Sequence, residues 1–112
     1  MNGFYIAYLT GTAGNGMVLL AMRNGAVAGV DTTGVAYDGQ LTQKADGSFA
    51  CSVGYVVPPG APLITGGMTA APTRVQFNFD LPPNFSNGVV VQINTPLGLV
   101  NATFSKVREL DI

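Results

Sequence analysis

Three dipeptides, Asn24-Gly25, Asp46-Gly47 and Asn87-Gly88, sit between short runs rich in β-branched, aromatic and alternating residues. Both residues of such a pair tolerate the positive φ that a two-residue type I′ hairpin demands, so each predicts that the chain reverses on itself between strands. A chain punctuated this often has no room for a long helix. The runs predict eight strands near residues 3–10, 16–23, 26–30, 35–43, 48–57, 73–80, 88–94 and 98–107. Pro96-Leu97-Gly98 adds a further turn, and the first five and last three strands are expected to run as antiparallel meanders. Residues 57–72, VPPGAPLITGGMTAAP, carry too many prolines and glycines for a central strand. They predict a long crossing loop with at most a short extended piece at Leu63-Ile64-Thr65.

Alternation assigns faces on the later strands. Val75, Phe77 and Phe79 alternate with Gln76, Asn78 and Asp80, and Val100, Ala102 and Phe104 with Asn101, Thr103 and Ser105, as when one face meets a core and the other water. The first two strands, FYIAYL and MVLLAM, are apolar on both faces, so their outer surface requires a cover. A subunit interface is the simplest. The dimer-face candidates are Phe4, Ile6 and Tyr8, or Tyr5, Ala7 and Leu9 in the opposite phase, because a shift of one residue exchanges the faces.

At 112 residues the chain is a single domain, residues 1–112. Eight short antiparallel strands predict an all-β fold, a small up-and-down barrel that removes exposed sheet edges, with a β-sandwich as the alternative. Such a barrel is filled by side chains or holds one small ligand. Ala7, Ala36, Gly39, Ala50 and Gly54 would leave interior space if they point inward. Tyr5, Tyr8, Tyr37 and Tyr55 either line a cavity or pack in the core with their hydroxyls at the rim.

Charge and chemistry narrow the function. Arg23, Lys44, Arg74, Lys106 and Arg108 are scattered in a chain of net charge −1, which argues against a nucleic-acid partner. The N-terminus MNGFYIAYLT has neither the basic start nor the apolar stretch of a signal peptide, and no apolar window is long enough for a membrane span, which predicts a cytoplasmic, soluble chain. Histidine is absent, so the single cysteine, Cys51, has no obvious activator and is read as a core residue. In GTAGNGM, Gly11 and Gly16 have the outer spacing of a phosphate loop, but Met17 stands where a lysine is required, leaving a hairpin loop. Asp31 and Asp38 are read as caps for backbone amides rather than a paired acid and base. No catalytic residue, metal ligand or cofactor is expected, and the chain is read as no enzyme.

Gly3-x-Tyr5, Arg23-Asn24-Gly25, Gly29-x-Asp31, Tyr37-x-Gly39, and Pro58-Pro59-Gly60 with Leu63 and Gly66 together form a succession that resembles the GrlR-like family, whose namesake is a negative regulator of a type III secretion gene cluster. The resemblance implies a lipocalin-like, eight-stranded barrel in the bacterial cytoplasm that dimerises and restrains a transcriptional activator without touching DNA. It implies that the partner is met by the loop after the Tyr-x-Gly strand, here Gln43-Lys44-Ala45-Asp46-Gly47, with Gln43, Lys44 and Asp46 as partner-loop candidates. The resemblance, with the apolar outer faces of the first two strands and the lack of a catalytic constellation, implies a non-enzymatic protein-binding barrel, with carriage of a small apolar ligand as the alternative. Asp31, with Thr32 and Thr33, is expected to cap the turn ending at Gly34, and Gly29 and Gly39 to give room where strands crowd.

Overall fold

A computed structural model describes residues 2–111. The strands are β1 (Gly3–Gly11), β2 (Gly14–Arg23), β3 (Ala26–Asp31), β4 (Ala36–Gln43), β5 (Phe49–Val57), β6 (Thr73–Leu81), β7 (Asn87–Thr95) and β8 (Gly98–Glu109). They form one antiparallel sheet in the order β6-β5-β4-β3-β2-β1-β8-β7. The sandwich alternative is thereby excluded. Because β8 returns to pair with β1, the sheet curls into an up-and-down barrel whose one seam lies between β6 and β7, which are not hydrogen-bonded to each other. No helix among the described residues is long and apolar enough to cross a membrane.

Turn chemistry explains most of the connections. Asn24 and Gly25 both take positive φ, 52° and 84°, and close the two-residue turn between Arg23 and Ala26. At Asp46-Gly47 only the glycine does so. Gly47 N–H donates to the Lys44 carbonyl at 3.0 Å and Lys44 N–H to the Ser48 carbonyl at 2.7 Å, so this hairpin is a type I turn with a glycine bulge rather than type I′. The Asp46 carboxylate accepts both the backbone N–H and the hydroxyl of Ser48, which holds Asp46 out of the left-handed region.

The expected meander through the last three strands is corrected at Asn87-Gly88. Pro82-Pro83 cannot enter a tight two-residue hairpin, and the chain instead makes two successive turns, closed by Phe85 N–H to the Pro82 carbonyl and Asn87 N–H to the Asn84 carbonyl. Gly88 lies within β7, at positive φ, where the register on β8 shifts between Asn87 and Val90: it makes a bulge, not a hairpin. The meander runs through six strands at the front and two at the back. Leu63-Ile64-Thr65 is likewise not extended; Gly66 N–H donates to the Leu63 carbonyl and the segment turns.

The core lies inside the barrel. The inward positions of β1 are Gly3, Tyr5 and Ala7, so Phe4, Ile6 and Tyr8 face outward, the first of the two phases open in the sequence. One end is sealed by Phe85. Although it belongs to a turn, it is 2% exposed, and its ring meets those of Tyr5, Phe49 and Phe104 at centroid separations of 6.0, 5.5 and 5.6 Å. An aromatic group in this position excludes water from the base of the barrel and contributes on the order of 3 kcal/mol or more to stability.

Candidate functional site

The opposite end is not filled. Four connections meet there: the β1–β2 hairpin at Thr12-Ala13, the β3–β4 turn at residues 32–35, the long β5–β6 segment at residues 58–72, and the β7–β8 hairpin at Pro96-Leu97. Beneath them a cavity of about 360 Å³ runs into the barrel, with walls that include Leu9, Val18, Val53, Phe77, Ile93 and Val100. The void follows from small inward side chains. Ala7 and Gly16 face it, and a Cβ at Gly16 would make only ordinary contacts, the nearest with Ile64 at 3.9 Å.

The long segment forms a partial lid. Ala13 N–H donates to the Ile64 carbonyl at 2.7 Å, and the Thr12 hydroxyl to the Thr65 carbonyl at 3.1 Å, so the middle of the segment is tied across the mouth to the far hairpin. Gly11 permits the approach, because a Cβ there would collide with the Ile64 carbonyl oxygen. Pro58, Leu63 and Ile64 turn apolar surface toward the cavity.

A polar cluster occupies the rim. One oxygen of the Asp31 carboxylate accepts the Thr33 N–H at 2.9 Å, the Thr33 hydroxyl at 2.6 Å and the Val35 N–H at 3.1 Å, while the other accepts the Tyr37 hydroxyl at 2.9 Å. Burial alone would raise the Asp31 pKa, but these four hydrogen bonds outweigh it and hold the carboxyl below its ordinary value. Burial and then the bond to Asp31 push the Tyr37 phenol far above its ordinary value, and burial raises Tyr55, whose ring centroid lies 4.8 Å from that of Tyr37. At neutral pH the rim therefore presents one fixed negative charge and two neutral phenols. The expected cap on the Thr32–Gly34 turn is present, and it also orients a cavity wall.

The predicted positions separate into distinct places. Gly29 lies directly opposite Tyr37 on β3, and a Cβ on it would press on Leu20 at 2.6 Å. Gly39 lies against the Ser52 carbonyl, and Gly3 against Lys106 at 2.6 Å. These three glycines, with Asn24 and Gly25, are thus positions where the backbone is crowded or must take positive φ. Gln43, Lys44 and Asp46 are at the closed end, far from the cavity; Lys44 pairs with Asp80 at 3.1 Å and Asp46 is engaged with Ser48. Phe4, Ile6 and Tyr8 are on the outer wall, where the register sets Tyr8 beside Met17 and Ile6 beside Leu19, which in turn lies beside Val30. Tyr8, Leu19 and Val30 are each about half exposed, at 53%, 45% and 45%.

Several expectations are corrected by strand phase. Ala36 and Ala50 are exposed on the outer surface and Gly54 is covered from outside by the Arg74 guanidinium, so of the five small residues Ala7 and Gly39 alone point inward. Asp38 is exposed in the middle of β4, between Ala28 and Gly54 and one residue out of phase with inward Tyr37, so it stands at no turn that it could cap, and it does not pair with Asp31. Cys51 is buried, as expected, and burial followed by the Asp80 charge pushes its thiol up to about 12. GTAGNGM is a β-hairpin, closed between Gly11 and Gly14. Neither the Phe85 seal nor the Gly16 opening was anticipated. An aromatic residue stranded between Pro-Pro-Asn and Ser-Asn-Gly was the available signal for the first.

Comparisons of the chain with models of known protein families, with curated proteins and with solved structures give no match.

Proposed function

We propose that the chain is a non-enzymatic binding barrel that carries a small apolar ligand in its interior. The observation that supports this reading is the 360 Å³ cavity, which is apolar along its walls, sealed at one end by Phe85 and crossed at the other by the segment tied to Ala13. Cavities of about 300 Å³ and upward, apolar with a few convergent polar groups, are the usual form of small-molecule sites. Asp31 and Tyr37 at the rim engage each other, and neither is left as a free base or nucleophile. The test is native mass spectrometry of freshly purified protein, together with titration by the neutral fluorophore N-phenyl-1-naphthylamine. A co-purifying small mass or saturable fluorescence supports carriage, and Gly16→Leu, which fills the void without a backbone clash, abolishes either signal. A protein that is empty and does not bind the fluorophore refutes it.

A second reading is favoured by the outer wall. The contiguous strip of Ile6, Tyr8, Met17, Leu19 and Val30 suits a protein partner, in keeping with the resemblance to GrlR-like regulators: a homodimer in the bacterial cytoplasm that restrains a transcriptional activator. Light scattering at tens of micromolar tests the dimer. A monomer there, unchanged by Leu19→Lys, removes this reading.

A further inference from the structure

The electrostatics of the mouth select among apolar ligands. Resting on the carrier reading above, we propose that the barrel takes a neutral or cationic amphiphile of about 15 non-hydrogen atoms, and rejects fatty-acid-like anions.

Size follows from volume. An apolar cavity of about 150 Å³ accommodates benzene, so one of 360 Å³ holds roughly two and a half times as many atoms, about 15. Twelve-carbon chains with a small head group fall in this range. The tail enters between Leu9, Val18, Phe77 and Ile93, because the far end is occupied by Phe85 and Phe104. The head remains at the rim, where the polar groups are.

Charge follows from the residues that line the site. Asp31 is the one charged side chain among them, and none of the five lysines and arginines borders the cavity. Four have other engagements: Lys44 with Asp80, Lys106 with Glu109 and Arg108 with Asp111 are in ion pairs, and Arg74 lies across Gly54 on the outside. A carboxylate head would lose part of its hydration without gaining a cation and would approach the fixed charge of Asp31. Asp31 is not free to yield by taking up a proton, since Thr33, Val35 and Tyr37 all donate to it. An ammonium head instead gains attraction, and a hydroxyl head meets no penalty. The carboxylate that shapes the β3–β4 turn thus also acts as a charge filter over the opening.

Displacement of N-phenyl-1-naphthylamine by 1-dodecanol, dodecylamine and dodecanoate, at pH 8 and below their self-association, tests this directly. Dodecanol and dodecylammonium are expected to displace the probe, with dodecanoate weaker by about tenfold or more, the factor for two like charges held near one another at a partly solvated rim. Asp31→Asn keeps an acceptor for Thr33 and Val35 while removing the charge, and narrows the gap to about threefold or less. Thr32→Lys leaves the Asp31 hydrogen bonds in place and adds a cation to the rim, so dodecanoate improves even if Asp31→Asn folds poorly. Dodecanoate binding the wild-type protein as tightly as dodecanol overturns the inference while leaving the carrier reading intact. Failure of the fluorophore itself to bind overturns the carrier reading instead.

Discussion

Phe85→Ala separates the sealed end of the barrel from the open one. Phe85 is 2% exposed and touches three other aromatic rings, so its truncation removes one of the largest buried side chains and leaves a void bounded by Tyr5, Phe49 and Phe104. Truncations of this type cost about 3–5 kcal/mol, the upper part of the range applying where the neighbours cannot collapse into the gap. Here Tyr5, Phe49 and Phe104 are on β1, β5 and β8, whose pairings fix their positions, so collapse is limited and about 4 kcal/mol is expected. For a domain of this size that lowers Tm by roughly 12–20 °C. Urea unfolding followed by tyrosine fluorescence and far-ultraviolet circular dichroism measures the change, with Val90→Ala as the control. Val90 is 68% exposed, so its truncation should move stability by less than about 0.5 kcal/mol. A loss below about 1 kcal/mol for Phe85→Ala would refute the assignment of Phe85 as the seal, because no buried ring with three aromatic neighbours is removed so cheaply.

Three further outcomes follow. Gly39→Ala, whose Cβ would collide with the Ser52 carbonyl of the adjacent strand, is expected to destabilise by about 1–3 kcal/mol in urea, whereas Gly16→Ala stays within about 0.5 kcal/mol. The Cys51 thiol, raised to about 12, reacts with Ellman's reagent at pH 8 more than about a hundredfold slower in the folded protein than in urea, and comparable rates would show that it is not buried. The Asp31 carboxyl is depressed in the folded state, so its stabilising effect is complete above the unfolded value near about 3.9 and is lost as pH falls through the folded value. Urea midpoints measured from pH 6 downward should therefore fall more steeply for the wild type than for Asp31→Asn, and parallel curves would refute the depressed pKa.

Local rules and long-range packing were not equally legible in the sequence. The eight strands could be read because alternation and turn residues act over a few positions, and β6 and β8 even disclosed their inward faces through Val75-Phe77-Phe79 and Val100-Ala102-Phe104. Asp31 could be read as a cap because Thr33 and Val35 are within reach along the chain. Its bond to Tyr37 is set by the pairing of β3 with β4, and the lid's bond from Ala13 to Ile64 joins residues 51 positions apart, so neither leaves a local pattern. Asn87-Gly88 misled because positive φ serves a bulge as readily as a hairpin. The adjacent Pro82-Pro83 decided between them, through a missing donor and fixed φ.

Side-chain volume, rather than strand number, makes the two ends of the barrel different. Eight strands enclose a space that side chains can just fill. Toward the sealed end the inward positions carry Tyr5, Met22, Phe49, Leu81 and Phe104, and the turn after β6 adds Phe85. Toward the mouth Ala7 and Gly16 supply almost no bulk, and the space they vacate is the cavity. Stability and binding are then concentrated at opposite ends of one interior, and substitutions should separate them: Phe85→Ala weakens the fold while leaving the walls around Val18 and Val53 in place, and Gly16→Leu removes the cavity while adding apolar contact with Ile64 and Leu9. A mere packing defect would show the same gain in stability for Gly16→Leu, about 1 kcal/mol, but with no ligand signal to lose. Loss of fluorophore binding accompanied by unchanged or increased stability is the result that distinguishes a site from a void.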